Sequence, residues 1–93
     1  LSYRDFYSIS GARDLMFHVE EHAFTFPEID DALKDLGLEC IGLQLPRPEI
    51  GETYKRMFPG DPNMTNFYNW HEFEKLYPDS FSSMYQFWCR RSG

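Results

Sequence analysis

TFPEIDDALKDLGLECIGLQL, residues 25–45, encodes a helix with both ends marked and the strand that follows it. Thr25 and Glu28 form a T-x-x-E capping box, in which the two side chains accept backbone N–H groups at the start of the helix. Pro27 lies in the first turn, where its missing N–H costs nothing. Ile29, Ala32, Leu33 and Leu36 recur at i, i+3, i+4 and i+7 as one apolar stripe. Glu28, Asp30 and Asp31 crowd the end at which the helix dipole favours negative charge. Gly37 is a C′ residue that stops the helix. Leu38 to Leu45 then reads as a strand. Its odd positions Ile41, Leu43 and Leu45 are apolar and its even positions largely so, which predicts a strand inside a sheet covered on both faces.

Upstream, Leu1 to Ile9 mixes aromatic and polar residues without a period and reads as a loop or a short extended arm. Ser10 is a fair N-cap. Ala12, Leu15, Met16 and Val19 fall at helical spacing, predicting a short helix over 11–18. Downstream, Pro46 and Pro48 end the strand. Pro48 to Phe58 places Glu49 and Glu52 before Lys55 and Arg56, with Ile50, Tyr54, Met57 and Phe58 on one face. That is a helix whose charges suit its dipole, weakened by Gly51. PGDP, 59–62, is a turn, and 63–69 are ambiguous. Asn69 with Glu72 makes a cap for a helix over 70–77 with the stripe Trp70, Phe73 and Tyr77. Ser83 to Arg91 reads as a closing strand with Tyr85, Phe87 and Cys89 on one face; a helical reading of the same run stays open. The expected class is α+β: three to four short helices packed on a small antiparallel strand pair, with 46–82 as a helical insertion between the strands. Two strands alone are marginal in water, so both look for more sheet beside them.

Ninety-three residues make one domain or part of one. The chain begins with Leu1 rather than Met and has no signal-like apolar run, so it is expected to be a piece of a longer protein. Nine Phe, six Tyr and two Trp can fill a thin core, and leave rings over for a protein partner or for self-association. The net charge is −6, and residues 1–45 hold nine acids against three bases while 46–93 hold six of each. An acidic chain without a basic stripe argues against nucleic acid. No apolar run approaches the roughly 20 residues of a membrane span. Cys40 and Cys89 match no zinc spacing. They read as buried, reduced thiols, a disulfide being the lesser alternative, and cytoplasm is the default location.

His18-Val19-Glu20-Glu21-His22 fits the H-x-x-E-H pattern of inverted zinc proteases. That chemistry needs one continuous helix so that both imidazoles share a face, and a third ligand from elsewhere. Ala-Phe-Thr-Phe-Pro follows at once and ends any helix, so no metal is expected; polar residues at a helix end are the plainer reading. Arg13, Asp14 and His18 could line a polar pocket, or form a solvated helix face. His71 beside Trp70 reads as a surface residue. There is no G-x-S-x-G and no glycine-rich phosphate loop.

The run GARDLMFHVEEHAFTFPEIDDALKDLGLECIGLQL and the terminal YPDSFSSMYQFWCRR resemble a known family. It comprises the C-terminal parts of bacterial class I S-adenosylmethionine-dependent methyltransferase-like proteins, often fused to tetratricopeptide repeats. RDLMFHVEEHAFTFPEI, LGLECIGLQL, NWHEFE and MYQFWC carry the likeness, which spans most of the chain from Asp5 on. It implies that Thr25 to Gly37 is the last helix of a methyltransferase-like sheet, LECIGLQL the next-to-last strand and MYQFWCRR the final one. It implies a substrate-side lip offering Arg13, His18, Glu21 and His22, and an upstream domain of the same chain as partner. The family's glycine-rich loop and acidic ribose-binding residue have no counterpart here. S-adenosylmethionine is therefore implied for the full-length protein and no cofactor for these residues alone. The rival reading is an independently folded α+β interaction module appended to such an enzyme. Full coverage of Ile41, Leu43, Tyr85 and Phe87 favours the module; a bare sheet edge or face favours the enzyme segment.

Overall fold

The computed structural model describes residues 6–10, as backbone, and 14–92. The elements run in the order β1 (Phe6–Ser10), β2 (Leu15–Glu20), α1 (Phe26–Asp35), β3 (Leu38–Gln44), α2 (Pro48–Met57), α3 (Phe67–Leu76) and β4 (Met84–Arg91). All neighbouring strands are antiparallel, in the order β1-β2-β4-β3. The class is α+β, as expected, but the strand pair is a four-stranded sheet. β4 lies in its interior, so the closing run is a strand and the helical reading falls. No helix among the described residues is long and apolar enough to cross a membrane.

α1 begins where its capping box puts it. Thr25 Oγ1 accepts from Glu28 N at 3.3 Å, and Thr25 N donates to Glu28 Oε1 at 2.9 Å. Gly37 follows the helix at φ 70°, a conformation open to glycine at no steric cost.

The helix expected over 11–18 is overturned: residues 15–20 are strand β2, and 11–13 lie outside the described residues. Leu15, Phe17 and Val19 alternate with Met16, His18 and Glu20, and it is this period of two that the structure uses. Phe17 and Val19 are buried opposite Phe87 and Tyr85 of β4. Of the loop or extended arm expected over 1–9, residues 6–9 belong to β1, which pairs with β2, and 1–5 lie outside the described residues. Supplying β4 with a second neighbour outweighs the helical spacing.

β3 is also corrected. It is an edge strand with one side of its ladder unpaired, not an interior one. A bulge between Cys40 and Gly42 leaves Ile41 without a partner. The parity of the strand flips there, so Leu38 and Cys40 before the bulge, and Leu43 and Leu45 after it, all pack on the same core. Apolar residues at odd and even positions thus serve one face, and Ile41 is 36% exposed.

α3 is capped three residues earlier than expected. Asn66 Oδ1, not Asn69, accepts Tyr68 N and Asn69 N at 3.0 and 3.1 Å. The loop before it is held from both sides. Asp61 Oδ2 accepts from the Tyr54 hydroxyl and from Asn66 N, and the Trp70 indole N–H donates to Met64 O at 2.8 Å.

The three helices cover one face of the sheet. Between the layers lie Phe17, Val19, Tyr85, Phe87 and Cys89 from the strands, with Phe26, Ile29, Tyr54, Phe67, Trp70 and Phe73 from the helices. Tyr54 stacks on Trp70 at 4.0 Å between ring centroids. The 46–82 segment therefore supplies much of the core, more than an insertion laid on a finished sheet would. The other sheet face carries Met16, His18, Gln86 and Trp88; none of the three helices lies on it, yet Met16 is buried there.

Trp70 is wholly buried whereas Trp88 is 39% exposed. Trp70→Ala is expected to cost about 3–5 kcal/mol, and Trp88→Ala no more than about 1 kcal/mol. Urea unfolding of both variants checks this; comparable losses would mean that Trp88 is packed as tightly as Trp70.

Candidate functional site

The carboxyl end of β2, the last turns of α3 and the start of β4 enclose an open cleft of about 390 Å³. The turn after β2 delivers Glu21 and His22, α3 delivers His71, Glu74 and Lys75, β4 delivers Tyr85, and Pro78 forms part of the wall. Each comes from the local folding already described. The turn after β2 is pinned because Glu21 N donates to Ser83 O at 2.9 Å. Ser82 and Ser83, which lead into β4, sit at φ 51° and 74°, left-handed values that are uncommon for residues with a side chain. Sparsely populated backbone of this kind gathers at ligand clamps and active sites.

The electrostatics centre on Glu74. Tyr85 Oη donates to Glu74 Oε1 at 2.6 Å. Burial pushes the Glu74 carboxyl above the usual carboxylate range and Glu21 adds to the rise, while the Tyr85 hydrogen bond opposes them. Burial likewise raises the Tyr85 phenol, helped by Glu74 and Glu21. A carboxyl that is half-desolvated beside a second carboxyl keeps its proton to higher pH, and can then exchange it with a bound amine or hydroxyl. The rim is looser. His22 is mostly solvent-exposed and meets Glu20 at 3.0 Å, and Lys75 pairs with Glu72 at 3.0 Å.

Of the four substrate-side residues expected, the cleft unites Glu21 and His22. His18 lies on the other face of the sheet, in register with Gln86, and Arg13 lies outside the described residues. Asp14 binds Arg90 at 3.0 Å rather than lining a pocket. Strand β2 also removes the helix that the H-x-x-E-H pattern requires. Among the described residues no group of three or more His, Cys, Asp or Glu is arranged to hold a metal ion. Glu74 and Tyr85 were not singled out from the sequence. One local signal existed: His71 and Glu74 stand at i, i+3 and so share a helix face.

Comparison with models of known protein families, with curated proteins and with solved structures finds no match. The cleft must be read from its own chemistry.

Glu74 also sets a pH dependence. Its carboxyl titrates in the unfolded chain near the ordinary value, 4.5, and higher in the folded one. Between those values the folded state binds more protons, so this group's stabilising contribution is full below pH 4.5 and is lost as pH rises through the folded value. Glu74→Gln keeps an acceptor for Tyr85 and abolishes the titration. The difference between wild-type and variant urea midpoints should fall across the window just above pH 4.5. A difference that stays flat from about pH 4 to 7 would refute the assignment.

Proposed function

We propose that this chain is the C-terminal segment of an S-adenosylmethionine-dependent methyltransferase, completing its sheet and lining the substrate side without being catalytic alone. The strand order is the observation that carries this reading. β4 is antiparallel to both its neighbours, so β2 and β3 run parallel to each other, joined through α1, with β4 inserted between them. A last helix, a next-to-last strand and a final strand turned back beside it are what the resemblance implies for these same residues. The site agrees in position. In open α/β sheets, ligands sit in the crevice beyond the carboxyl ends of the parallel strands, and Glu21 and His22 directly follow the carboxyl end of β2. Trp88, 39% exposed on the sheet face away from the helices, also fits a segment that packs against more protein. β1 is the departure, because it makes the far side of β2 antiparallel.

In this reading the cofactor is held by residues upstream, and the cleft acts on the methyl acceptor. Glu21 and Glu74 would orient a donor group of the acceptor, with Tyr85 fixing the Glu74 carboxyl. In a protein that joins this chain to its cofactor-binding portion, Glu74→Gln and Glu21→Gln should lower kcat/KM for the acceptor about tenfold. The affinity for S-adenosylmethionine should stay unchanged. The isolated 93 residues should give no binding heat with S-adenosylmethionine. Micromolar affinity there, or loss of cofactor affinity in either variant, would sink the proposal.

A second reading, an independently folded interaction module, is favoured by the apolar side chains left at the end of α3. Leu76 is 64% exposed and Tyr77 47%. On that reading Leu76→Ser with Tyr77→Ser abolishes partner binding or self-association in sedimentation and leaves methyl transfer untouched.

A further inference from the structure

We propose that Cys40 and Cys89 form an oxidisable cross-strand pair, in which Cys40 takes up oxidation from a hydroperoxide and Cys89 closes the disulfide. The two residues are direct partners in the β3–β4 ladder, and both are free thiols. Directly opposed residues of antiparallel strands have Cα atoms about 4.5–5.5 Å apart, inside the roughly 4.4–6.8 Å that a disulfide spans. Both side chains face the helices, and Cys40 is close enough to raise the Cys89 thiol, though burial is the larger cause. Cys40 lies on an edge strand beside a bulge, where the backbone can adjust to bond geometry more easily than in the middle of a regular ladder.

The pair is asymmetric, which assigns the roles. Cys89 is wholly buried, whereas Cys40 is half-buried and lines a cleft of about 370 Å³ beside α1. A hydroperoxide reaches Cys40 first. The Cys40 thiolate attacks one peroxide oxygen, the O–O bond breaks, and a sulfenic acid forms with release of water or hydroxide. The Cys89 sulfur then attacks the Cys40 sulfur, the S–S bond forms and a second water leaves. Two thiols and one hydrogen peroxide give one disulfide and two waters, with two electrons passing from sulfur to oxygen.

The environment sets the pace. Burial pushes the Cys40 thiol up to about 12, opposed by the hydrogen bond it accepts from the Gly42 amide and aided by Asp61 and Asp30. Among the described residues, Asp30 and Lys34 of α1, Glu39 of β3, Asp61 after α2 and Cys89 of β4 are the titratable or charged groups that face it. Both thiols are therefore protonated at neutral pH, and oxidation rises with the thiolate, about tenfold per pH unit.

The test treats the folded chain with hydrogen peroxide at about pH 7 and about pH 9 and maps its peptides without reduction. The expected product is one cross-linked pair holding Cys40 and Cys89, lighter by two hydrogens and reversed by dithiothreitol. It should form about a hundredfold faster at the higher pH, and in Cys89→Ala a sulfenic acid on Cys40 should be trapped by dimedone. The unmutated chain decides the matter if that variant fails to fold. Cys40 ending as a sulfinate with Cys89 still free, dimers linked through Cys40, a disulfide formed only in urea, or a rate indifferent to pH would each overturn the proposal.

Discussion

The fold depends on where one ring is held. Phe26, the first residue of α1, is wholly buried and lies 4.2 Å from Tyr85, 5.3 Å from Phe67 and 5.4 Å from Phe81 between ring centroids. It thereby joins the start of α1, the start of α3, the approach to β4 and β4 itself. The Thr25–Glu28 capping box decides which residue begins the helix, and so aims this ring at the centre of the sheet. A small chain has little apolar area to bury, and aromatic rings meeting edge to face recover more per residue than aliphatic side chains do. The helices contribute their rings to this one cluster, and the polar groups of Tyr54 and Trp70 are tied off by Asp61 and Met64 O.

The same cluster makes the cleft. Tyr85 buries its ring against Phe26 and Phe81 while its hydroxyl reaches Glu74, so one residue serves the core and the site together. Burial raises the Glu74 carboxyl, and the Tyr85 hydrogen bond, which opposes that rise, fixes where the carboxyl points. Its hydrogen-bond partner cannot turn away without disturbing the core. A methyl acceptor, if the proposed reading holds, would meet a preset carboxyl rather than a mobile one.

Local signals were legible in the sequence and distant ones were not. α1 could be read residue by residue, because its caps and stripe lie within thirteen positions. β3 and β4 were legible as strands from their apolar runs. β2 was not, since Leu15, Met16 and Val19 satisfy a helical period as well as Leu15, Phe17 and Val19 satisfy an alternating one. The choice is made by β4, nearly seventy residues away in the chain. The start of α3 was missed for a similar reason. Asn66 and Asn69 are equally good caps in isolation, and Asp61 and Met64 select the first by holding Asn66 N and the Trp70 indole. In the site, Glu21 and His22 were visible in the His-rich segment. Glu74 carries no local mark in the sequence, because what distinguishes it is Tyr85 and Glu21 brought beside it by the fold.

The bulge at Ile41 has a consequence for how copies of this chain meet. β3 presents an open row of backbone donors and acceptors, the template on which a strand from another molecule can add. One unpaired residue midway along it breaks that row into two short pieces and twists them relative to each other. Glu39 on the first piece adds a charge that a like strand would have to lie against. The kink that keeps the apolar side chains of β3 on one face thus also makes its free edge a poor seed for aggregation.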